Sequence, residues 1–286
     1  GDPSLSIRHA SLAQKKADAL RCMADGTSAT AAPGVGAVIA AMVSNMPGRY
    51  TRGQDAYSIH RHAEVVAQHL HRGAWATVAI VPPRGARPEG LAGPTQICLV
   101  AADSHGLLAQ ITAALAQCRL HVHAAQIHSF AIDEGGEGRR LALDLFWVER
   151  AGGDEVRPLL PKLERTLASL LEGEAEGPDI VPRAPRSLRA GPEVPTRVIV
   201  DTRVAPHHTV VEVFSLDRPG VLFRIAHALF HQGMTIELAK ISTEGSRVVD
   251  VFYVTDQRGA KVTDRGSVRK LRQAIVASLA EEQPEA

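Results

Sequence analysis

The chain contains an internal repeat, and this repeat limits its possible folds more than any other feature of the sequence. Eight residues recur 114 positions later along the 286-residue chain. Beyond a Gly-rich stretch at residues 133–138 the spacing falls to 106. A spacing that changes once, inside a loop, indicates a duplicated module with a longer hairpin in its first copy. The pairs at spacing 114 are Asp103 and Asp217, Gly106 and Gly220, Leu108 and Leu222, Ile111 and Ile225, Ala114 and Ala228, Leu115 and Leu229, Ala125 and Ala239, and Ile127 and Ile241; those at spacing 106 are Asp144 and Asp250, Phe146 and Phe252, and Val148 and Val254.

Length and charge restrict the class of protein. With 45% hydrophobic residues, a chain of this length can bury two or three small cores. The net charge of +1 gives no basic field of the kind that duplex nucleic acid or an anionic membrane attracts. No apolar run approaches the roughly 20 residues of a membrane-spanning helix, and the N-terminus has no signal-peptide core. We therefore expect neither a nucleic-acid nor a membrane partner.

Cysteine usage is typical of a reducing compartment. Cys22, Cys98 and Cys118 are odd in number and form no CxxC pair. Neither a disulfide framework nor a Cys-rich zinc site is expected from this pattern, and a cytoplasmic location fits it. The chain begins with Gly1 rather than Met, which suggests a tag remnant or a fragment of something longer. The sequence leaves both explanations open.

Local patterns divide the chain into four segments. They are a helical N-terminal region (1–74), a first module with a preceding edge strand (75–172), a Pro/Gly-rich linker (173–196) and a second module with a preceding strand (197–286). Hydrophobic periodicity predicts helices at 35–46, 57–71, 106–118, 156–171, 219–232 and 264–279, and strands at 76–81, 96–101, 120–130, 140–149, 197–204, 209–215, 234–243 and 247–255.

Each copy of the repeat is therefore predicted to run strand-helix-strand-strand-helix. This order is the core of a ferredoxin-like sandwich, an α+β fold with helices on one face of an antiparallel sheet. No residues remain at the end of the second copy for a closing strand. Each preceding strand completes the sheet of its own copy, or the strand at 197–204 closes the first copy; the sequence leaves both arrangements open.

The junction Asp217-Arg218-Pro219-Gly220-Val221-Leu222 carries the clearest chemistry. Pro219 suits the first turn of a helix, and Asp217 is expected to cap the N–H groups just beyond it. Those N–H groups and the helix dipole suit a small carboxylate, while Asp217 or a neighbouring carbonyl suits an ammonium group. A site that offers both is complementary to a free amino acid. The alternative is that the junction is only a well-made helix start.

The second copy resembles an ACT domain, a small regulatory module that binds amino acids at domain or subunit interfaces. The resemblance covers residues 209–279, with the run VEVFSLDRPGVLFRIAHALFHQGMTIELAKISTEGSRVVDVFYVTD, and is weaker over residues 95–171. Among ACT proteins the chain is most similar to the C-terminal tandem of the bifunctional uridylyltransferase and uridylyl-removing enzymes of PII nitrogen signalling. Met46-Pro47-Gly48-Arg49-Tyr50 supports this, because a similar stretch lies just upstream of that tandem.

This resemblance implies two ferredoxin-like ACT sandwiches, amino-acid sensing with glutamine favoured as the ligand, and a homo-oligomer formed through the ACT sheets. The first copy carries Ser104-His105 where the second has Arg218-Pro219, so we expect the second site to be the working one if only one works. Together with the junction chemistry, the resemblance implies as ligand-binding residues Leu216, Asp217, Arg218, Gly220, Val221, Leu222, Ile236 and Ala239 in the second copy, and Asp103, Gly106, Leu107 and Leu108 in the first.

The catalytic motifs of those enzymes have no match in this chain. Gly245-Ser246 is followed only by Asp250 where the transferase needs an Asp-x-Asp pair, and no His-Asp dipeptide occurs for the hydrolase. Gly34-Val35-Gly36 lacks the third glycine and the preceding strand of a dinucleotide loop. We expect no catalytic residue and no cofactor. Two alternatives to a sensor remain: part of a PII uridylyltransferase whose catalytic domains lie outside this chain, or a module that only dimerises.

Two groups of histidines need an interpretation. His60, His62, His69 and His71 lie on one predicted helix, where a metal site is one interpretation and a solvent-facing helix surface is the one we prefer. We therefore expect no metal. His121 and His123 share one face of a predicted strand and His128 lies on the other, which indicates a solvated sheet face or an interface.

Overall fold

The computed structural model describes residues 14–21, 34–82, 93–134, 137–150, 153–173, 195–218, 220–244 and 247–280. Nearly all of the predicted linker, residues 174–194, lies outside them. The chain divides into two compact units, residues 1–103 with 128–145, and residues 104–127 with 146–286. No helix among the described residues combines the length and the apolar character needed to cross a bilayer.

The first unit combines helices with strands. Its strands are hydrogen-bonded in the order β1-β2-β4-β3, and β3 and β4 each contribute residues to both units. The elements are α1 (14–21), α2 (Val35–Asn45), α3 (Gly48–Gly53), α4 (Ala56–Arg72), β1 (Ala76–Ile80), β2 (Thr95–Ala102), β3 (Leu120–Glu134) and β4 (Glu137–Arg150).

The sequence accounts for the bounds of α4. The carboxylate of Asp55 accepts the Ser58 N–H at 2.7 Å and caps the first turn. Gly73 ends the helix with a φ of 58°, a left-handed conformation that glycine adopts without steric cost. Ile59, Ala63 and Val66 recur at helical spacing and are fully buried. This apolar face places α4 against the core of the first unit.

The second unit contains the rest of the repeat. Its strands are hydrogen-bonded in the order β3-β7-β8-β6-β5, and α8 packs beside α7. Besides residues 120–127 of β3 and 146–150 of β4, its elements are α5 (Leu107–Gln117), a 3₁₀ turn (Arg157–Leu159), α6 (Leu160–Leu171), β5 (Arg197–Asp201), β6 (Thr209–Leu216), α7 (Val221–His231), β7 (Met234–Glu244), β8 (Arg247–Asp256) and α8 (Arg265–Ala280).

The described residues therefore form an α+β fold, and the predicted strand-helix-strand-strand-helix order is confirmed in both copies. The open question about the preceding strands is answered: β1 pairs antiparallel with β2, and β5 pairs antiparallel with β6. β5 is shorter than predicted because the Asp201 carboxylate accepts the N–H groups of Arg203 and Val204 at 2.6 and 3.0 Å and turns the chain. The four predicted domain bounds stay a prediction.

The expectation that the α4 histidines face solvent is wrong for three of the four. His60, His62 and His69 are buried, and His71 is exposed. Two of the three buried rings have hydrogen-bonding partners in the first unit: the Tyr50 hydroxyl lies 2.9 Å from His62 Nδ1, and the Thr77 hydroxyl lies 3.2 Å from His69 Nδ1. His60 Nε2 lies 3.5 Å from the Glu64 carboxylate. No three His, Cys, Asp or Glu side chains among the described residues are grouped to hold a metal ion.

Burial controls the protonation of His62. It lowers the pKa of His62 to about 3, the nearby charge of His128 acts in the same direction, and Asp55 opposes both. Between pH 3 and 6.5 an unfolded chain binds a proton at this residue and the folded chain does not. The stability that neutral His62 contributes is therefore complete above pH 6.5 and is lost as the pH falls towards 3.

We expect wild-type protein to lose up to about 1.4 kcal/mol of unfolding free energy per pH unit, relative to His62→Gln, between pH 6.5 and 4.5. Urea denaturation of both proteins at pH 8, 6.5 and 4.5 measures this difference. His71→Gln is the matched control on the exposed face of α4, and its difference from wild type should not change in this way. A pH-independent difference for His62→Gln would contradict the analysis.

Candidate functional site

Strands from the two copies of the repeat pair with each other. We define the first copy as residues 95–171 and the second copy as residues 209–279. In the second unit β3 pairs antiparallel with β7, with Ala125 opposite Ile241 and Gln126 opposite Lys240. Gln126 and Lys240 are 114 positions apart, which is the spacing of the repeat, so each faces its own equivalent. A local two-fold axis therefore passes through this pair, and α5 packs beside α7 across it.

The second-copy loop, residues 216–222, leads into an uncapped helix. Gly220 takes the N-cap position of α7 with a φ of 83°, and no side chain caps the first turn. The expectation that Asp217 caps this helix is therefore wrong. Its carboxylate instead lies 3.1 Å from His121 Nε2, on the strand contributed by the first copy. The Val221 N–H donates to the Arg218 carbonyl at 3.2 Å, and no side chain caps the N–H groups that follow it in the first turn of α7. Pro219 lies outside the described residues.

The His121–Asp217 pair is partly shielded from water. The side chains are 32% and 18% exposed. The hydrogen bond that His121 Nε2–H donates to the Asp217 carboxylate is the main cause that raises the pKa of His121; burial opposes it, and the charges of Asp217 and then Glu149 add to the rise. The sequence placed His121 on a solvated face or an interface, and nothing in it indicated Asp217 as the partner.

A second carboxyl group lies behind this pair. Asp250 on β8 is fully buried, and no described donor is in hydrogen-bond geometry with either of its oxygens. Burial raises its pKa to about 7; the backbone N–H of Ser242 opposes the shift and the charge of Asp217 adds to it. In the sequence analysis Asp250 served only to mark the repeat. An aspartate between two aliphatic residues of a predicted strand, Val249 and Val251 here and Leu143 and Leu145 in the first copy, was the signal that could have found it.

The equivalent group in the first unit is Asp144 on β4. It is buried and accepts the His128 N–H at 3.3 Å. Burial, followed by a smaller effect of Asp103, raises the pKa of Asp144, and the His128 hydrogen bond opposes the rise. His128 and Ser242 are themselves 114 positions apart. In both copies a buried carboxyl group thus lies near a backbone N–H at the equivalent position, but only Asp144 accepts a hydrogen bond from it in the described structure.

The structure places the other predicted second-copy residues around the start of α7 and on β7. Val221 and Leu222 are buried in the first turn of α7, and Leu216, Arg218 and Ile236 are half-buried. Ala239 is fully buried on β7, opposite Phe252. The ladder between β7 and β8 shifts between Ile236 and Leu238, a bulge of the kind often found beside functional sites. Their role as ligand contacts stays a prediction.

The first-copy aspartate already has a cationic partner. In the first unit, the Asp103 carboxylate lies 3.0 Å from both Nε and Nη2 of Arg140. At spacing 106 the residue equivalent to Arg140 is Ser246, so the second copy has no arginine at this position. The two predicted sites therefore differ in charge.

The start of α5 in the first copy is also filled. Gly106 has a φ of 84°, and a Cβ built on it would lie 2.7 Å from the ring of Phe230. The rings of His105 and Phe230 lie 4.7 Å apart, centroid to centroid, and Leu107 and Leu108 are buried. The residue equivalent to Phe230 is Ala116. The first copy therefore has a methyl group at the position where the second copy has the phenyl ring that packs against Gly106.

Comparison with known proteins agrees with this repeat. Residues 204–282 match the family model described as the ACR family N-terminal ACT domain. This part of the chain is therefore similar to an ACT domain. No solved structure matches the chain.

The same chain is similar to curated enzymes. It is 35% identical to the bifunctional uridylyltransferase/uridylyl-removing enzyme of Gluconobacter oxydans over 80% of this chain and 24% of that enzyme. The enzymes of the same name from Rhodospirillum rubrum and Pseudomonas aeruginosa are 33% and 30% identical, over 78% and 82% of this chain and 23% and 25% of theirs. The chain thus spans about a quarter of the length of these relatives.

The His121–Asp217 pair makes a direct prediction. Asp217→Asn should lower the pKa of His121, because it removes the hydrogen bond and charge that are the main causes of its rise. NMR titration of the His121 ring measures this. Glu149→Gln is the matched control and should produce a smaller drop, because Glu149 is the minor contributor. An equal drop in both variants would mean that the two residues do not pair in solution.

The filled start of α5 makes another prediction. Gly106→Ala should cost about 1 kcal/mol for the left-handed backbone, plus about 1–3 kcal/mol for overpacking against Phe230. Gly34→Ala is the matched control, because Gly34 is also an N-cap glycine with a φ of 84° but has no atom within 4 Å of its Cβ position. Urea denaturation measures both losses of unfolding free energy. Equal losses, or no relief in Gly106→Ala/Phe230→Ala, would contradict the contact.

Proposed function

We propose that the second-copy loop binds a free amino acid, with glutamine favoured, and that the chain is a regulatory module that responds to it. The observation that carries the proposal is the Asp217 carboxylate, mostly buried and three residues before the uncapped start of α7. An α-amino acid carries its ammonium and carboxylate on one carbon. The loop offers a group of opposite charge for each.

Asp217 is the proposed partner of the ammonium group. Its carboxylate already has an imidazole nitrogen at 3.1 Å, so the geometry around it accepts a hydrogen-bond donor. The buried carboxyl group of Asp250 lies close enough to Asp217 for the charge of Asp217 to raise the pKa of Asp250. Hydrogen bonds between charged groups contribute about 1.5–3 kcal/mol each, enough for selective binding.

The first turn of α7 is the proposed partner of the carboxylate. Its N–H groups have no intrahelical acceptor, and the positive end of the helix dipole favours a negative charge there. The left-handed Gly220 has no side chain beyond hydrogen, so a ligand can approach the backbone closely. Arg218, half-buried in the same loop, adds positive charge near the carboxylate.

The same features favour the second copy over the first. Asp103 is paired with Arg140, and Phe230 fills the space beside Gly106. Asp217 is paired with a histidine that can lose its charge, and its side of the two-fold axis has Ala116. We propose one working site per chain.

The relatives suggest the context of this sensor. Their name is that of an enzyme with uridylyltransferase and uridylyl-removing activities, and this chain covers about a quarter of one. We propose that the chain is the regulatory part of such a nitrogen-signalling enzyme in the cytoplasm, and that it forms homo-oligomers through its sheets. A ligand can act there only through different affinities for two arrangements of the modules, with a typical coupling of about 1–3 kcal/mol.

Isothermal titration of the chain with glutamine and a panel of other free amino acids tests the proposal. We expect saturable binding of at least one amino acid, and a loss of affinity of about 10–100-fold in Asp217→Asn, because a charge-assisted hydrogen bond is removed. The matched control is Asp103→Asn in the first copy, which should bind as wild type does.

Two results would contradict the proposal. The absence of heat and of thermal stabilisation for every amino acid at millimolar concentration would favour a module that only associates. Equal loss of binding in Asp103→Asn and Asp217→Asn would contradict a single working site.

A further inference from the structure

The two partners of the His121–Asp217 pair come from different copies of the repeat. We propose that the protonated His121 ring occupies the ammonium position of the second-copy site, so that an amino acid must displace it and affinity depends on pH. The inference rests on the proposed function and adds how that site is regulated. It gives His121, which belongs to the first copy, a role in ligand binding at the second-copy loop.

The geometry fits a displaceable internal cation. His121 Nε2 lies 3.1 Å from Asp217 Oδ2, the distance at which a ligand ammonium would bind the same carboxylate. Asp217 is the more buried partner and sits on the loop, whereas one third of the His121 side chain is exposed. The ring can therefore leave towards solvent without disturbing buried packing. The pairing of Gln126 with Lys240 places the two copies beside each other close to His121.

The other charged groups around His121 do not replace Asp217 as its partner. The His123 ring lies 4.6 Å from that of His121, centroid to centroid, and His123 Nε2 is itself 2.9 Å from the Glu149 carboxylate. Glu149 on β4 contributes only a minor part of the attraction that His121 feels. Behind Asp217 lies Asp250, whose buried carboxyl group carries no countercharge among the described residues. We therefore expect one cation at a time to pair with Asp217, either the imidazolium of His121 or the ammonium group of a ligand.

This competition selects the chemical class of the ligand. A compound with an ammonium group can replace the imidazolium at Asp217. A 2-oxo acid has the same carboxylate but no ammonium group. It would therefore leave Asp217 without a cation from the ligand, and His121 would be the only partner of Asp217. We therefore expect amino acids to bind and the matching 2-oxo acids to be rejected.

The proton balance follows from the pairing. Asp217 raises the pKa of His121, so the ring stays charged to a higher pH in the free protein than without that partner. When an ammonium group takes Asp217, the pKa of His121 falls and a proton leaves the ring. Binding is then weaker at low pH, where the imidazolium competes, by at most about ten-fold per pH unit for one proton.

Titration calorimetry with glutamine as the probe tests the inference on the full chain, at pH 6 in phosphate and in MES and at pH 8 in phosphate and in Tris. The buffer dependence of the heat reports the number of protons released. We expect wild type to bind more weakly at pH 6 and to release protons, and His121→Gln to bind more tightly than wild type at pH 6, with a smaller pH dependence and no proton release. His123→Gln is the matched control and should behave as wild type does.

The outcomes separate this inference from the proposed function. If wild type binds glutamine but His121→Gln binds with the same affinity, pH dependence and proton release, the titrating group is another one, such as Asp250, and the inference is overturned while the function stands. If binding is lost in His121→Gln, the ring contacts the ligand rather than competing with it, which also overturns the inference. If neither protein binds any amino acid at either pH, the proposed function fails.

Discussion

The antiparallel pairing of β3 with β7 is the contact on which the candidate site depends. A duplicated module does not require its two copies to touch, and each copy has the strand order to form its own sheet. Here the pairing runs through equivalent positions, Gln126 opposite Lys240. This two-fold arrangement brings the start of β3 to the loop before α7 and lets His121 of one copy reach Asp217 of the other. A ligand at that loop would contact both copies and would therefore be sensitive to how they are arranged.

The two copies are related by a local two-fold axis, but a few residue differences make their two predicted sites unlike. The first copy has a histidine in place of the loop proline and an arginine that neutralises its aspartate. The second copy has a phenylalanine, Phe230, that fills the start of α5, whereas the equivalent residue of the first copy is Ala116. The buried carboxyl groups Asp144 and Asp250 are kept in both copies, although burying a carboxyl group without full hydrogen bonding costs stability. Their retention beside the two loops is understandable if they set the electrostatic potential there.

Much of the fold could be predicted because the same pattern of helices and strands can be read from both copies of the repeat. Each helix and strand had to satisfy the periodicity of both copies, and glycines at equivalent positions marked both helix starts. The elements at α5 and α7 and the two hairpins accordingly lie within a few residues of the predicted bounds. The domain bounds are not tested in this way, because nearly all of the predicted linker lies outside the described residues.

The candidate site could be predicted only in part, because its chemistry depends on contacts between distant residues. Asp217 was identified from its position before a helix, but local spacing suggested a cap, whereas a partner 96 positions away on the other copy decides its role. The histidines of α4 were expected on the surface because nothing local indicates that Tyr50 and Thr77 are their partners. The sequence alone could not show that Asp250 lies on the buried face of β8, together with Val248 and Phe252.

An engineered cross-link between the copies tests the central claim most directly. Directly opposed residues in an antiparallel pair have Cα atoms about 4.5–5.5 Å apart, within the span of a disulfide. Gln126→Cys/Lys240→Cys should therefore oxidise to an intramolecular disulfide, detected by peptide mass spectrometry, and Gln126→Cys/Ser242→Cys, shifted by two residues, should not. A cross-link only in the shifted pair, only between two chains, or in neither would contradict the pairing that builds the site.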